Sequence, residues 1–174
     1  ISRSLAKKAL RLMGKSIEKA VHNGSDIEAR SNMLLGSMFA GQAFANSPVA
    51  AVHALAYPIG GHFKVPHGLS NALVLPHVLK FNAITNPQVY SEIAYCIFPD
   101  LTGNSSQEIA QEFVENLSNL SKKCGLQQKL REVGVKSESL EMLAKEAMNQ
   151  TRLLVNNPRE LSENDALNIY KAAL

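Results

Sequence analysis

Four of the chain's five histidines, His53, His62, His67 and His77, fall between Ser31 and Leu79, a stretch whose only formal charge is Lys64. An uncharged stretch of this length is expected to be largely buried, and imidazole is an uncommon choice for such a place. A buried imidazole needs a hydrogen-bond partner or a metal ion. Pro58, Gly60, Gly61 and Pro66 stand between His53 and His67, so the two cannot share one straight helix. A helix, a glycine-bounded loop and a second helix folding back would bring both rings to a common point, which is half of a metal site. Spacing alone leaves hydrogen-bonded core or helix-end histidines as the commoner reading. His62 reads as a loop histidine and His77 as a helix histidine after Pro76, both structural or solvent-facing.

The elements that must position these rings read as helices. Leu5, Ala9, Leu12, Met13, Ile17, Ala20 and Val21 recur at three- and four-residue intervals, which predicts an amphipathic helix over Ser2 to His22, ended by Asn23-Gly24. Ser25 with Glu28 forms the pattern of a capping box for a second helix to about Ala45. Its small residues, Gly36, Ala40, Gly41, Ala43 and Ala45, let a neighbouring backbone approach, and the two glycines are expected to serve that packing. Asn46-Ser47-Pro48 breaks the helix. Val49 to Tyr57 reads as a short buried helix stopped by Pro58 and Gly60-Gly61. Gly61 to Pro66 is then a loop, and His67 stands at the start of a helix to about Asn82, kinked or interrupted at Pro76.

Asn86-Pro87 opens a helix to about Ile97. Ser105 with Glu108 caps one to Cys124, with Gly125 as its stop. A helix from about Ser137 to Gln150 follows, and Ser162 with Asp165 caps a last one. No segment alternates with period two for long enough to form a strand. The fold class is all-α, with about eight helices in a single domain over residues 1–174.

Composition narrows the function classes. Net charge is +3, too small to argue for nucleic acid, and Lys7, Lys8, Arg11, Lys15 and Lys19 read as a solvated helix face without interleaved aromatics. Cys96 and Cys124 lack disulfide or zinc-knuckle spacing, which fits a reduced, cytoplasmic compartment. Gln42, Asn46, Pro48, His53 and Pro58 interrupt the uncharged stretch, so no membrane span and no membrane partner is expected. The opening Ile1-Ser2-Arg3-Ser4-Leu5, without an initiator Met, reads as a fragment of a longer polypeptide.

The ordered string His53-Ala54-Leu55-Ala56-Tyr57-Pro58-Ile59-Gly60-Gly61-His62-Phe63-Lys64-Val65-Pro66-His67-Gly68-Leu69-Ser70-Asn71-Ala72-Leu73-Val74-Leu75-Pro76-His77-Val78-Leu79 resembles the signature of the iron-containing (group III) alcohol dehydrogenases. The Gly24 to Arg30 opening and Ala43-Phe44-Ala45-Asn46 are similar to the same family. The likeness covers essentially all of this chain but only the C-terminal half of the family's protein. It implies the helical domain of the dehydroquinate synthase-like, iron-containing alcohol dehydrogenase fold.

By that resemblance, the first and third histidines of this string, His53 and His67, bind a divalent metal, Fe²⁺ or Zn²⁺. That metal would act as a Lewis acid on the alcohol or carbonyl while hydride passes to or from nicotinamide. Tyr57 stands where many members carry a histidine near nicotinamide and substrate, and Phe44 matches an aromatic of the substrate pocket, with a core Phe as the alternative. No catalytic residue is assigned. The family's other two ligands, an Asp and a His, and the domain that binds NAD or NADP, belong upstream of Ile1. No Gly-rich phosphate loop occurs here.

The resemblance therefore implies part of an enzyme that interconverts small alcohols with aldehydes or ketones, inactive when isolated. Its expected partners are the missing N-terminal domain and a second copy in a homo-oligomer. Two alternatives stand beside it: a metal-independent reductase or hydroxyacid-oxoacid transhydrogenase on the same fold, and a non-catalytic helical module.

Overall fold

All regular structure in the computed structural model, which describes residues 1–174, is helical. The helices are α1 (Ser2–His22), α2 (Ile27–Phe44), α3 (Ala51–Phe63), α4 (His67–Ala83), α5 (Pro87–Ala94), α6 (Ser106–Lys123), α7 (Leu140–Met148), α8 (Thr151–Leu154) and α9 (Glu163–Ala173). Short 3₁₀ turns occupy Leu130–Val133 and Ser137–Ser139. The all-α expectation holds, and none of the helices is long and apolar enough to cross a membrane.

The chain, which reads from sequence as one domain, gathers these helices into two compact units. One comprises Ile1–Pro48 and Asn86–Cys124, the other Val49–Thr85 and Gly125–Leu174.

In the first unit α1 packs on α2 with the Met13 side chain seated on Gly36, rather than by the expected backbone approach. A β-carbon there would lie 2.5 Å from Met13 Cγ, so only a bare α-carbon admits the neighbour in this position. Gly41, expected to do the same, has nothing within 4 Å of such a β-carbon and serves no packing. The cap of α2 also differs from expectation. Asp26 accepts from the Ala29 N–H at 2.7 Å, while the Ser25 hydroxyl donates to Asn23 instead. The carboxylate is the stronger acceptor for an orphan N–H and favours the positive helix end. The basic face of α1 is paired or solvated: Arg3 and Lys7 meet Glu92, Lys19 meets Asp26, and the Lys8 ammonium lies over the Phe39 ring. Helix α5 stops at Ala94, short of Ile97, and Cys96 and Cys124 are free thiols.

Burial within Ser31 to Leu79 is uneven. On α2, Leu34 is 76 % and Phe44 57 % exposed, with Leu35 and Met38 also exposed, against the expectation that the uncharged stretch is covered. Absence of charge permits burial without supplying a surface to be buried against.

The second unit holds a continuous apolar core from α3, α4, α7, α8 and α9, including Leu55, Ile59, Val74, Val78, Leu143 and Tyr170. The fully buried Tyr170 donates its hydroxyl to the Leu55 carbonyl at 2.6 Å, and burial pushes its phenol far above the usual range. Helix α3 does not stop at Pro58 but runs on to Phe63. Pro58 lacks the N–H that would bond one turn back, yet Pro58 and Ile59 are buried. Packing thus outweighs the loss that a proline costs an exposed helix. Helix α4 likewise continues through Pro76. The helix expected over Ser137 to Gln150 begins as a 3₁₀ turn and is α-helical only from Leu140. The Ser162–Asp165 capping box of α9 and the Ser105 cap of α6 form as expected.

Candidate metal centre

The reversal from α3 to α4 is built to be short. Lys64 takes a left-handed conformation (φ 57°) as the cap of α3, and its N–H donates to the Gly60 carbonyl at 3.1 Å. Such a φ is unusual without glycine, and the Lys64 ammonium returns to the Gly61 carbonyl at 2.9 Å. A β-carbon at Gly60 would meet the Val65 carbonyl oxygen at 3.4 Å, an ordinary contact, so the two sides of the turn lie close together. Extended Pro66 then leads into α4, and the buried Ser70 hydroxyl donates back to the Pro66 carbonyl at 3.1 Å. These ties hold His67, the first residue of α4, against the face of α3.

On that face His53 and Tyr57 lie one turn apart, the i and i+4 positions of one stripe. The ring centroids of His53 and His67 are 5.2 Å apart, those of Tyr57 and His67 5.9 Å, and those of His53 and Tyr57 6.2 Å. Tyr57 is 38 % exposed, His67 is exposed and His53 half-buried, so the three rings are open on one side. Burial, and then the charge of His67, holds the His53 imidazole below its ordinary value. A neutral ring is the form that offers a lone pair to a metal.

The separation of the rings can be tested against a shared ion. With metal–nitrogen bonds of ~2.1 Å and tetrahedral angles, two imidazoles on one ion place their centroids roughly 5 Å apart. The observed pair meets that requirement. No third His, Cys, Asp or Glu joins them, so the donors present fit half of a ligand set.

The other predicted residues lie elsewhere. His62 belongs to the last turn of α3 rather than to a loop, and bonds Glu146 Oε2 on α7 at 2.7 Å. His77 is half-buried on α4, its imidazole held low by burial first, then by Lys129 and Lys80. Phe44 ends α2 in the other unit and is 57 % exposed, outside the core of the described chain. Sequence reasoning passes over Asn71, whose amide lies against His67. The i, i+4 spacing on α4 marks it as a neighbour of His67 but does not say how the amide meets the ring.

Comparison with known proteins follows from this geometry. The family model described as the Fe-containing alcohol dehydrogenase family, C-terminal, matches residues 1–174. The chain belongs to that family. Among curated relatives of the iron-containing alcohol dehydrogenases, it is 43 % identical over 176 residues to long-chain-alcohol dehydrogenase 1 of Geobacillus thermodenitrificans (strain NG80-2). It is 35 % identical over 173 residues to 1,3-propanediol dehydrogenase of Klebsiella pneumoniae. Each alignment takes in 99 % of this chain and 44 % of the relative. The chain thus spans less than half the length of those proteins. Among solved structures, 1,3-propanediol oxidoreductase superposes with a TM-score of 0.95 at 34 % identity, covering 99 % of this chain and 45 % of that one. The alcohol dehydrogenase from Oenococcus oeni gives 0.94 at 30 % identity, covering 99 % and 45 %.

Proposed function

We propose that this chain is the helical half of a nicotinamide- and metal-dependent alcohol dehydrogenase and contributes two of the metal's ligands, His53 and His67. The observation that carries the reading is the 5.2 Å separation of two imidazoles drawn from separate helices, in a chain of the Fe-containing family. Fe²⁺ or Zn²⁺ bound there would supply Lewis-acid polarisation of an alcohol or carbonyl oxygen. The chain's own residues do the rest of what falls to this half. His53 and His67 present ring-nitrogen donors, set by the short turn between α3 and α4. Tyr57 offers a phenol, donor and acceptor, beside them. The remaining ligands and the NAD(P) site are assigned to polypeptide outside these residues, with primary or secondary alcohols and the matching aldehydes or ketones as substrates.

The exposed apolar residues of α2 weigh against a self-contained, non-catalytic helical module, whose apolar surface would be covered by its own helices. The two facing imidazoles likewise weigh against metal-independent chemistry.

Two measurements test the reading. In the longer protein, His67→Ala is expected to abolish metal-dependent reduction of nicotinamide with loss of bound metal; an unchanged rate and metal content would refute the assignment. The 174-residue chain alone is expected to show no turnover, and robust turnover would refute the division of labour.

A further inference from the structure

We propose that Asn71 is a positioning residue for His67, holding the imidazole plane while leaving its lone pairs clear. The proposal rests on the reading of His67 as a metal ligand. Asn71 lies one turn after His67 on α4, and its Nδ2 donates to the His67 main-chain carbonyl at 3.0 Å. That carbonyl only accepts, which decides which end of the carboxamide faces it. The same Nδ2 stands 3.1 Å from His67 Nε2 and 3.5 Å from Nδ1.

These two distances locate the amide relative to the ring. An atom on the lone-pair axis of one ring nitrogen would be much farther from the other, across the full width of the ring. Near-equal distances instead place Nδ2 over the imidazole face, where an N–H meets the π cloud. Both in-plane lone pairs therefore stay free of the amide. Asn71 acts as a floor beneath the ring, tied to the ring's own main chain, and does not compete for the nitrogen an ion would take.

A second observation points the same way. Asn71 Oδ1 is buried without a hydrogen-bond partner. An unpaired buried acceptor costs about 1–3 kcal/mol, a cost that a leucine of similar size would avoid. The polar contacts of this carboxamide are therefore made at His67, through Nδ2.

Two variants of the 174-residue chain separate the contributions. Asn71→Leu removes both contacts. Asn71→Ser keeps a hydroxyl able to bond the carbonyl one turn back but cannot cover the ring. NMR of the metal-free chain, with His67→Ala assigning the ring signals, is expected to show altered His67 ring shifts and rotamer averaging in both variants. Zn²⁺ alone, titrated by calorimetry, is expected to bind about 10-fold more weakly to both, the effect typical of a group that orients a ligand. Unchanged ring signals in Asn71→Ser, whatever Asn71→Leu does, would assign the effect to the main-chain bond and overturn the proposal. If the unsubstituted chain and His67→Ala take up Zn²⁺ equally, the metal reading fails, while the metal-free ring signals still decide the role of Asn71.

Discussion

The fold opposes protonation of His53, through burial and the neighbouring His67. His77 is opposed in the same direction by burial and two lysines. Both are held below the ordinary 6.5, so near that pH the unfolded chain binds more protons than the native one. Stability from these groups is then fully present above pH 6.5 and is lost as pH falls through the lowered native values. Asp26 and Asp165 are also held low, Asp26 chiefly by the Ala29 N–H and Asp165 by Ser162, but they act in a window below the histidine range. The melting temperature is therefore expected to decline from pH 7.5 to pH 5, and less steeply in a His53→Gln, His77→Gln variant. Parallel declines in thermal melts of the two proteins would contradict this. Of the residues proposed for the site, His53 and His67 stand out in the sequence because they fall in the string that resembles the family signature. Asn71 does not, because its part depends on where an amide sits relative to a ring plane, which spacing does not encode.

Among the elements, the contact between α1 and α2 turns on Gly36. Alanine there would thrust a methyl to 2.5 Å from Met13 Cγ and 3.4 Å from the Ala9 carbonyl. Overpacking of this kind costs about 1–3 kcal/mol. Gly36→Ala should lose that much in urea unfolding, whereas Gly41→Ala, with open space, should be neutral or slightly stabilising through helix propensity. Equal effects would contradict the assignment. The contrast shows what sequence carries at this scale. Ser105 and Ser162 announce helix starts because capping is local, bonding an N–H three residues on. Pro58 and Gly60-Gly61 announce a stop that does not occur, because buried neighbours such as Leu55 and Ile59 continue α3 past them. Local punctuation yields where tertiary packing is dense. At the start of α2, Ser25 and Asp26 are adjacent candidates for the cap, and the carboxylate, the stronger acceptor, takes the Ala29 N–H.

At the scale of the whole molecule, one family model matches the chain over residues 1–174, and the chain covers 44 % of each curated relative described above. The α2 surface is consistent with such a part. Leu34→Glu should change the unfolding free energy by no more than about 0.5 kcal/mol, as for other exposed positions. A loss of several kcal/mol would show that the side chain is covered in solution. Hydropathy suggested burial for Leu34 because it reports a preference for apolar surroundings and not which polypeptide provides them. The central claim is that these residues carry half of a metal site, and zinc calorimetry on the chain tests it most directly. One weakly held Zn²⁺ per chain, lost in His53→Ala and in His67→Ala alike, is the expected result; no binding by the unsubstituted chain, or binding unchanged by both substitutions, would contradict it.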